Sequence, residues 1–430
     1  MHTFDLNLDR LSKVEGSASL DVSVKDNKVE SVKFKITEYK RFFTQAMKGK
    51  PILALPQLLA RICGTCSNAH LLCSIEACEN ALNMPQSEQT RELRNLTMHG
   101  LIIRDHALHL YMFSMPDIYG KDAFLDFDEN NPEEHQILHD AFEIKAAGNF
   151  LATLVAGRSV HAIHPTVGGF LHFPDQAGIG EAIKKLEAVR PAVLRLIEIY
   201  KKAPFHFDRK TNFMALVPEK YGYLHGVIID SKGNKIPEEH FREHLEKVIL
   251  PYSQASAYKH VGESYMVGAL ARMNLAKDRL HSKTKETLGE MLNIFPSTDI
   301  FHNNLAQAIE ILHSIDDSVD VLSNKKFEPE PITKPVYKEA IGIGVIEAPR
   351  GTLYHKIHVG ADGIVKEGEI IVPTGQNQIN IEEDISRLVE DLVLKMDKDK
   401  IAFEIEKLIR AYDPCMSCAS HFLKVNWKKS

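Results

Sequence analysis

Two stretches decide how this chain is read: Arg61-Ile62-Cys63-Gly64-Thr65-Cys66-Ser67-Asn68-Ala69-His70 near its start and Asp413-Pro414-Cys415-Met416-Ser417-Cys418-Ala419-Ser420-His421 near its end. Each holds a CxxC pair, Cys63/Cys66 and Cys415/Cys418, close enough in sequence to grip one metal ion. A lone pair of this kind is equally a redox dithiol. Two pairs suggest a four-sulfur site. Zinc ribbons place their pairs roughly 15–20 residues apart, because the metal replaces a small core. Here most of a 430-residue chain lies between them, and a chain that long has a core of its own. Spacing alone leaves structural zinc, an iron–sulfur cluster and a catalytic soft-metal centre open.

The rest of the composition narrows the class. The six cysteines are too sparse for a disulfide scaffold. Lys and Arg (52) fall short of Asp and Glu (58), giving a net charge of −6, which argues against a nucleic-acid binder. No apolar run is long enough to span a membrane, and the N-terminus lacks the basic-then-apolar pattern of a secretory signal.

Alternation over 17–24 and 28–38 around Asp26-Asn27 predicts a hairpin. Helical spacing predicts helices over about 51–62, 70–82, 87–114, 132–156, 178–202, 253–278 and 297–323, the last capped by Ser297-Thr298-Asp299. A β-rich block follows over 338–374, then helices near 382–396 and 400–411. Pro331-Ile332-Thr333-Lys334-Pro335 reads as a linker. The expected fold is α+β: a long helix bundle flanked by N- and C-terminal β-containing segments. The segments run 1–50, 51–330 (with the first CxxC) and 331–430 (with the second), and are expected to form one compact unit.

The flanking residues go further. RxCGxCxxxH and DPCxxCxxH resemble the two metal-binding signatures of the large, catalytic subunit of nickel–iron hydrogenases, in the right order and at the two ends of the chain. Lys13-Val14-Glu15-Gly16 resembles that family's N-terminal element. Asp105-His106 in RDHALHLYMF, Glu347-Ala348-Pro349-Arg350-Gly351 and Val372-Pro373-Thr374-Gly375-Gln376-Asn377 are similar to its other motifs. The length and the RDHALHLY and NNLAQAIEIL stretches look most like the soluble NAD(P)-linked and sulfhydrogenase alpha subunits.

The resemblance implies reversible heterolytic cleavage of dihydrogen, with electrons passed to an iron–sulfur small subunit and on to a nicotinamide or similar acceptor. It implies Cys63 and Cys415 as terminal nickel ligands, with Cys66 and Cys418 bridging nickel to an iron that carries carbon monoxide and cyanide. His70 would support Cys66. Pro349 and Thr374 would line the iron. Arg350 would be held by Asp105 and Asp413, and Glu15 would relay the proton from Cys415. Iron–sulfur clusters and flavin are expected only in partner subunits (a small subunit, and diaphorase subunits beyond it), alongside maturation factors and a C-terminal protease. The expected location is the cytoplasm. A hydrogen-sensing regulatory subunit and a non-catalytic structural relative are the competing readings. The four cysteines, Arg350 and Glu15 favour the enzyme.

Three features depart from the family pattern. Its RIEGH is Lys13-Val14-Glu15-Gly16-Ser17 here. Thr44 stands where a glutamate usually ligates a magnesium-type ion together with the terminal histidine, His421, and a hydroxyl is a poorer ligand for a hard cation. Finally, only Phe422 to Ser430 follow His421, where the family's precursors are often trimmed: the resemblance implies either a short propeptide or a chain that is never processed, and if trimming is required, a chain keeping Trp427 is immature and nickel-poor. Cys73 and Cys78 fit no motif and are expected as buried thiols. His161 matches a family histidine facing the electron-transfer partner.

Overall fold

The computed structural model describes residues 2–39 and 42–420. The expected hairpin is present as Ala18–Lys25 and Lys28–Ile36, with Asp26 and Asn27 both at positive φ in the turn, as a two-residue hairpin connection requires. Phe4–Leu8 adds a third antiparallel strand, with Leu6 opposite Val22. Ala18, Leu20, Val22 and Val24 alternate inward, so one face of this sheet joins the main core.

Four long helices form the bundle: Glu88–Ala107, Pro132–Ala156, Gln176–Lys201 and His302–Asn324. The first three start where sequence chemistry directs, at Ser87, Asn131 and Asp175, whose side chains accept from first-turn N–H groups. Glycine sets the closest approach. A Cβ on Gly148 would lie 2.8 Å from the backbone nitrogen of Arg104, and one on Gly100 would lie 2.8 Å from that of Ala152. The absence of these side chains lets the second helix press against the segment carrying Arg104 and Asp105. Beyond Ala107 the backbone loosens into a π-helical stretch, Leu108–Ser114, a distortion frequent at functional sites.

The middle of the chain departs from expectation. Of the helix expected over 253–278, only Ala269–Ala276 forms. Ser256–His260 is instead a strand paired antiparallel with Leu245–Ile249. Tyr265–Met266 runs parallel to Asn212–Val217, the core of a four-stranded sheet with Val227–Asp230 and Lys235–Ile236. The sequence reading missed this sheet because its strands are short and their partners distant in sequence. Two other expectations are corrected. The 51–62 segment breaks into Ile52–Ala54, Leu55–Leu59 and Ala60–Ile62, around Pro51 and Pro56. The helix expected from Ser297 begins at His302, with Ser297 Oγ meeting the His302 ring and Asp299 accepting from Phe301 N–H just before it.

At the C-terminal end, Ala340–Ala348, Gly351–Val359 and Val365–Ile371 form an antiparallel sheet. Ala348 pairs with Gly351, so Pro349 and Arg350 are the tip of a tight hairpin. The helix expected from 382 starts at Pro373 and runs to Leu392; Lys398–Ala411 and the short turn Met416–Ala419 follow. One hydrophobic cluster extends from Leu6 to Ala419. No described helix is long and apolar enough to cross a membrane.

Candidate metal centre

Cys63 sits in extended backbone at the end of Ala60–Ile62, and Cys66 immediately precedes the helix Ser67–Leu82. The other pair is delivered by the turn after Lys398–Ala411, where Asp413 takes a positive φ. Glu15 and Cys415 form an isolated parallel bridge, and Met416 N–H donates to the Glu15 carbonyl at 3.0 Å. Gly16 makes that crossing feasible: its φ is +84°, and a Cβ there would lie 2.8 Å from Met416 Cβ.

The result is a cluster of four buried free thiols. The sulfurs of Cys63 and Cys415 are 3.4 Å apart, those of Cys66 and Cys418 3.1 Å, and those of Cys415 and Cys418 3.1 Å. Hydrogen bonds from Cys415 and Cys418 hold the Cys63 thiol well below its ordinary range, while burial and the bonds with Cys418, Cys63 and Cys66 push Cys415 well above it. Four thiolates this close repel one another unless a cation sits among them, so the donor set calls for a soft, thiophilic metal.

Around the sulfurs the sequence-expected residues take definite places. Arg350 Nη1 donates to Asp105 Oδ2 at 2.7 Å, and Nη2 lies 2.9 Å from Asp413 Oδ1, off the line of a hydrogen bond. Burial opposes its charge, yet Asp105, Asp413 and the thiolate of Cys415 together hold it well above the ordinary arginine value. Those three groups favour the charged guanidinium. Its Nε and Nη2 have no hydrogen-bond partner among the described residues, and buried N–H groups of this kind call for an acceptor from a bound group. Thr374, in the first turn of Pro373–Leu392, accepts from Cys415 N–H at 2.9 Å, which leaves its own hydroxyl proton to donate. Glu15 meets Cys415 Sγ at 3.0 Å through Oε2, while Ser417 Oγ donates to Oε1 at 2.6 Å. The ring of His70 meets His355, Nδ1 to Nε2, at 3.2 Å.

A further layer was not anticipated. Arg272 is fully buried and donates to the carbonyls of Ala348 (3.0 Å) and Pro349 (2.9 Å), to Glu347 (2.8 Å) and twice to Glu310 (2.6 and 2.7 Å). It grips the three residues before Arg350. Arg272 outweighs the burial that would raise Glu310 and holds that carboxyl down to about 2. Gln307 donates to Asp413 at 2.9 Å and contacts His109 Nδ1 at 2.6 Å. Arg104 donates to the Thr65 carbonyl, inside the first CxxC, at 2.5 Å. Arg104 and Gln307 lie in the family-like RDHALHLYMF and NNLAQAIEIL stretches without a role of their own there, and Arg272 lies in a stretch that reads as ordinary helix.

Cys73 and Cys78 are buried, as expected. His161 follows the helix Pro132–Ala156, and its N–H donates to Ser67 Oγ at 2.9 Å. Thr44 lies half-buried in a short turn, Phe43–Ala46. His421 and the 422–430 tail lie outside the described residues.

A buried tetrathiolate drawn from both ends of the chain, with a fixed arginine and orphaned N–H groups beside it, defines a soft-metal redox centre that fits a nickel–iron group. The comparisons agree. A family model described as nickel-dependent hydrogenase matches residues 41–136 and 238–421, and the chain belongs to that family. It is 29% identical over 426 residues to the sulfhydrogenase 1 subunit alpha of Pyrococcus furiosus, covering 98% of each chain. It is 26% identical to the NAD-reducing hydrogenase HoxS subunit beta of Cupriavidus necator, covering 97% of this chain and 95% of that one. Among solved structures, an NAD+-reducing [NiFe]-hydrogenase in the H2-reduced state superposes with a TM-score of 0.86 at 22% identity, over 98% of this chain and 100% of that one. The Ni-Fe-Se hydrogenase from D. vulgaris Hildenborough gives 0.79 at 21% identity, with the same coverage. These two likenesses establish the fold.

Proposed function

We propose that this chain is the hydrogen-activating large subunit of a nickel–iron hydrogenase, with Cys63 and Cys415 as terminal nickel ligands and Cys66 and Cys418 bridging to iron. The observation that carries this reading is the pairing of the two CxxC motifs into one buried tetrathiolate. Arg350, the Pro349 turn and the Thr374 hydroxyl would hold the iron's carbon monoxide and cyanide. His70 would support the Cys66 sulfur. When bound, the nickel–iron group supplies the Lewis acidity that polarises dihydrogen for heterolytic cleavage.

This chain's own residues handle the proton and the geometry. Cys415 Sγ takes the proton and hands it to Glu15 Oε2, 3.0 Å away. Ser417 fixes the Glu15 carboxylate by donating its hydroxyl to Oε1 and its backbone N–H to Oε2. Arg350, pinned by Asp105 and Asp413, keeps a positive charge beside the reacting sulfurs. Apolar packing around the cluster keeps water out.

Electrons must leave through another subunit, because four of the six cysteines are committed to the site and Cys73 and Cys78 lie apart from it in no cluster motif. The partners would be an iron–sulfur small subunit and, by the sequence resemblance, flavin-bearing subunits; the NAD-reducing relative supports a nicotinamide as acceptor. Maturation factors would insert the metals, and a protease would trim the tail. A magnesium-type ion at His421, with Thr44 in place of the usual carboxylate, rests on the sequence resemblance alone. So does a cytoplasmic location.

Infrared spectroscopy with metal analysis on the purified complex tests the proposal. Carbonyl and cyanide stretches are expected, with nickel present and iron in excess of it, because the partner subunits carry iron–sulfur clusters. Zinc without nickel, and no such bands, would sink it.

A further inference from the structure

Outside the tetrathiolate, one other group of side chains among the described residues converges as metal ligands do: His206, Asp299 and His302, whose ligand atoms all lie within 4.8 Å of one another. Asp299 is organised for this. Its Oδ1 is occupied by the backbone N–H groups of Phe207 (3.2 Å) and Phe301 (3.0 Å). That fixes the carboxylate and turns Oδ2 towards both rings, 2.8 Å from His206 Nδ1 and 4.0 Å from His302 Nε2. Separations near 3–4 Å are those between neighbouring donors around an ion held at roughly 2.0–2.2 Å.

The second histidine is held for the same task. His302 Nδ1 lies 2.7 Å from Ser297 Oγ, which also accepts from Asp299 N–H at 3.1 Å. A hydroxyl accepting from Nδ1–H leaves Nε2 with its lone pair facing Asp299, the arrangement by which outer partners orient a ligating imidazole. Asp208 stands close by, bonded by Thr298 Oγ1 and bridged through its backbone to Asp299. It adds negative charge beside the triad. The His206 side chain is 70% exposed, so an ion reaches the site from solvent.

We propose that His206, Asp299 and His302 form a second metal site, distinct from the tetrathiolate, for a borderline divalent transition ion of the zinc type. Two imidazoles and one carboxylate with an open position are a set that zinc, cobalt or nickel accepts and that magnesium and calcium do not favour. The ion would pin the 205–208 turn, which follows Gln176–Lys201, to the first turn of His302–Asn324. That helix also carries Asn303, which donates to the Ala411 carbonyl at 2.8 Å, and Gln307, which donates to Asp413. The site therefore braces the helix that supports the second CxxC, without touching a sulfur.

Untagged holoenzyme, stripped of loosely held metal and titrated with zinc chloride, tests this. Wild type is expected to take up one zinc beyond its active-site metals at micromolar free zinc, with a rise in Tm. His206→Ala, at an exposed position, should lose that equivalent and the Tm shift. Its hydrogen-oxidation rate and infrared bands should stay unchanged, which separates this proposal from the function proposed above. Ser297→Ala should weaken uptake about tenfold. Cobalt(II) should give four-coordinate d–d absorption in wild type but not in His206→Ala. A His135→Ala/His139→Ala variant, which removes the stacked surface pair 4.3 Å apart, should bind as wild type does. Undiminished uptake by His206→Ala, or uptake by wild type only at millimolar zinc, overturns the proposal and leaves the triad as an ion-paired helix start.

Discussion

Cys415 Sγ and Glu15 Oε2 lie 3.0 Å apart although 400 positions separate them in sequence. The same backbone crossing, Met416 N–H to the Glu15 carbonyl, sets both the sulfur's place in the cluster and its proton acceptor. Glu15→Gln keeps the shape and removes the base. Turnover is expected to fall by a factor on the order of 100–10,000, with nickel, iron and infrared bands retained. Full activity in that variant would exclude Glu15 from the proton route.

Gly16 carries the crossing. Gly16→Ala places a Cβ 2.8 Å from that of Met416 at a φ of +84°. The left-handed backbone alone costs about 1 kcal/mol, and the steric overlap displaces the Glu15 strand from Cys415. Slower hydrogen oxidation than in wild type is expected at matched metal content. An unchanged rate would mean the strand tolerates the displacement.

Arg272 sets the hairpin tip that carries Arg350. Arg272→Met leaves Glu310 and Glu347 buried without their cation, a loss of about 3–5 kcal/mol, so little soluble chain is expected. Arg272→Lys keeps the charge but cannot reach both carboxylates and both carbonyls at once. It should fold with a lowered Tm, and a displaced Arg350 should appear as shifted cyanide stretches once metals are inserted. Wild-type band positions would show that the tip is held without it.

Burial pushes the Glu382 carboxyl up to about 7, against the bonds it accepts from Tyr252 and the Phe34 N–H. Below roughly pH 4.3, the ordinary glutamate value, it is protonated in both folded and unfolded chains. Between there and about 7 the folded chain holds the proton more tightly, so its contribution to stability is lost as pH rises through that window. Glu382→Gln should flatten this part of the pH dependence, measured as denaturant midpoints of the metal-free chain at pH 5 and pH 8. An identical slope in the variant would contradict this.

Parts of the fold were open to reading from the chain alone for identifiable reasons. The N-terminal hairpin announces itself through Asp26-Asn27 and strict alternation. The helix Pro132–Ala156 runs over the span expected, between an Asn131 cap and Gly157 in the left-handed region. The segment 253–278 misled because Tyr258, Val261, Tyr265 and Ala269 also satisfy a helical period. Ser256–His260 becomes a strand only because Leu245–Ile249 is there to pair with it.

The site divides in the same way. The CxxC spacing marks the four cysteines within a few residues, whereas Glu15, Asp105, Pro349, Arg350, Thr374 and Asp413 stand out only because the short motifs around them resemble those of hydrogenase large subunits. Arg272 and the His206, Asp299 and His302 triad leave no such mark, and Glu310 and Gln307 stand only within the family-like NNLAQAIEIL stretch. Each takes its role from the partners that packing brings to it. The sequence by itself determined which donors are available and that both ends of the chain must meet. Only the tertiary structure decided which buried charges are paired, and so which residues hold the donors in place. That choice depends on desolvation, which no local pattern encodes.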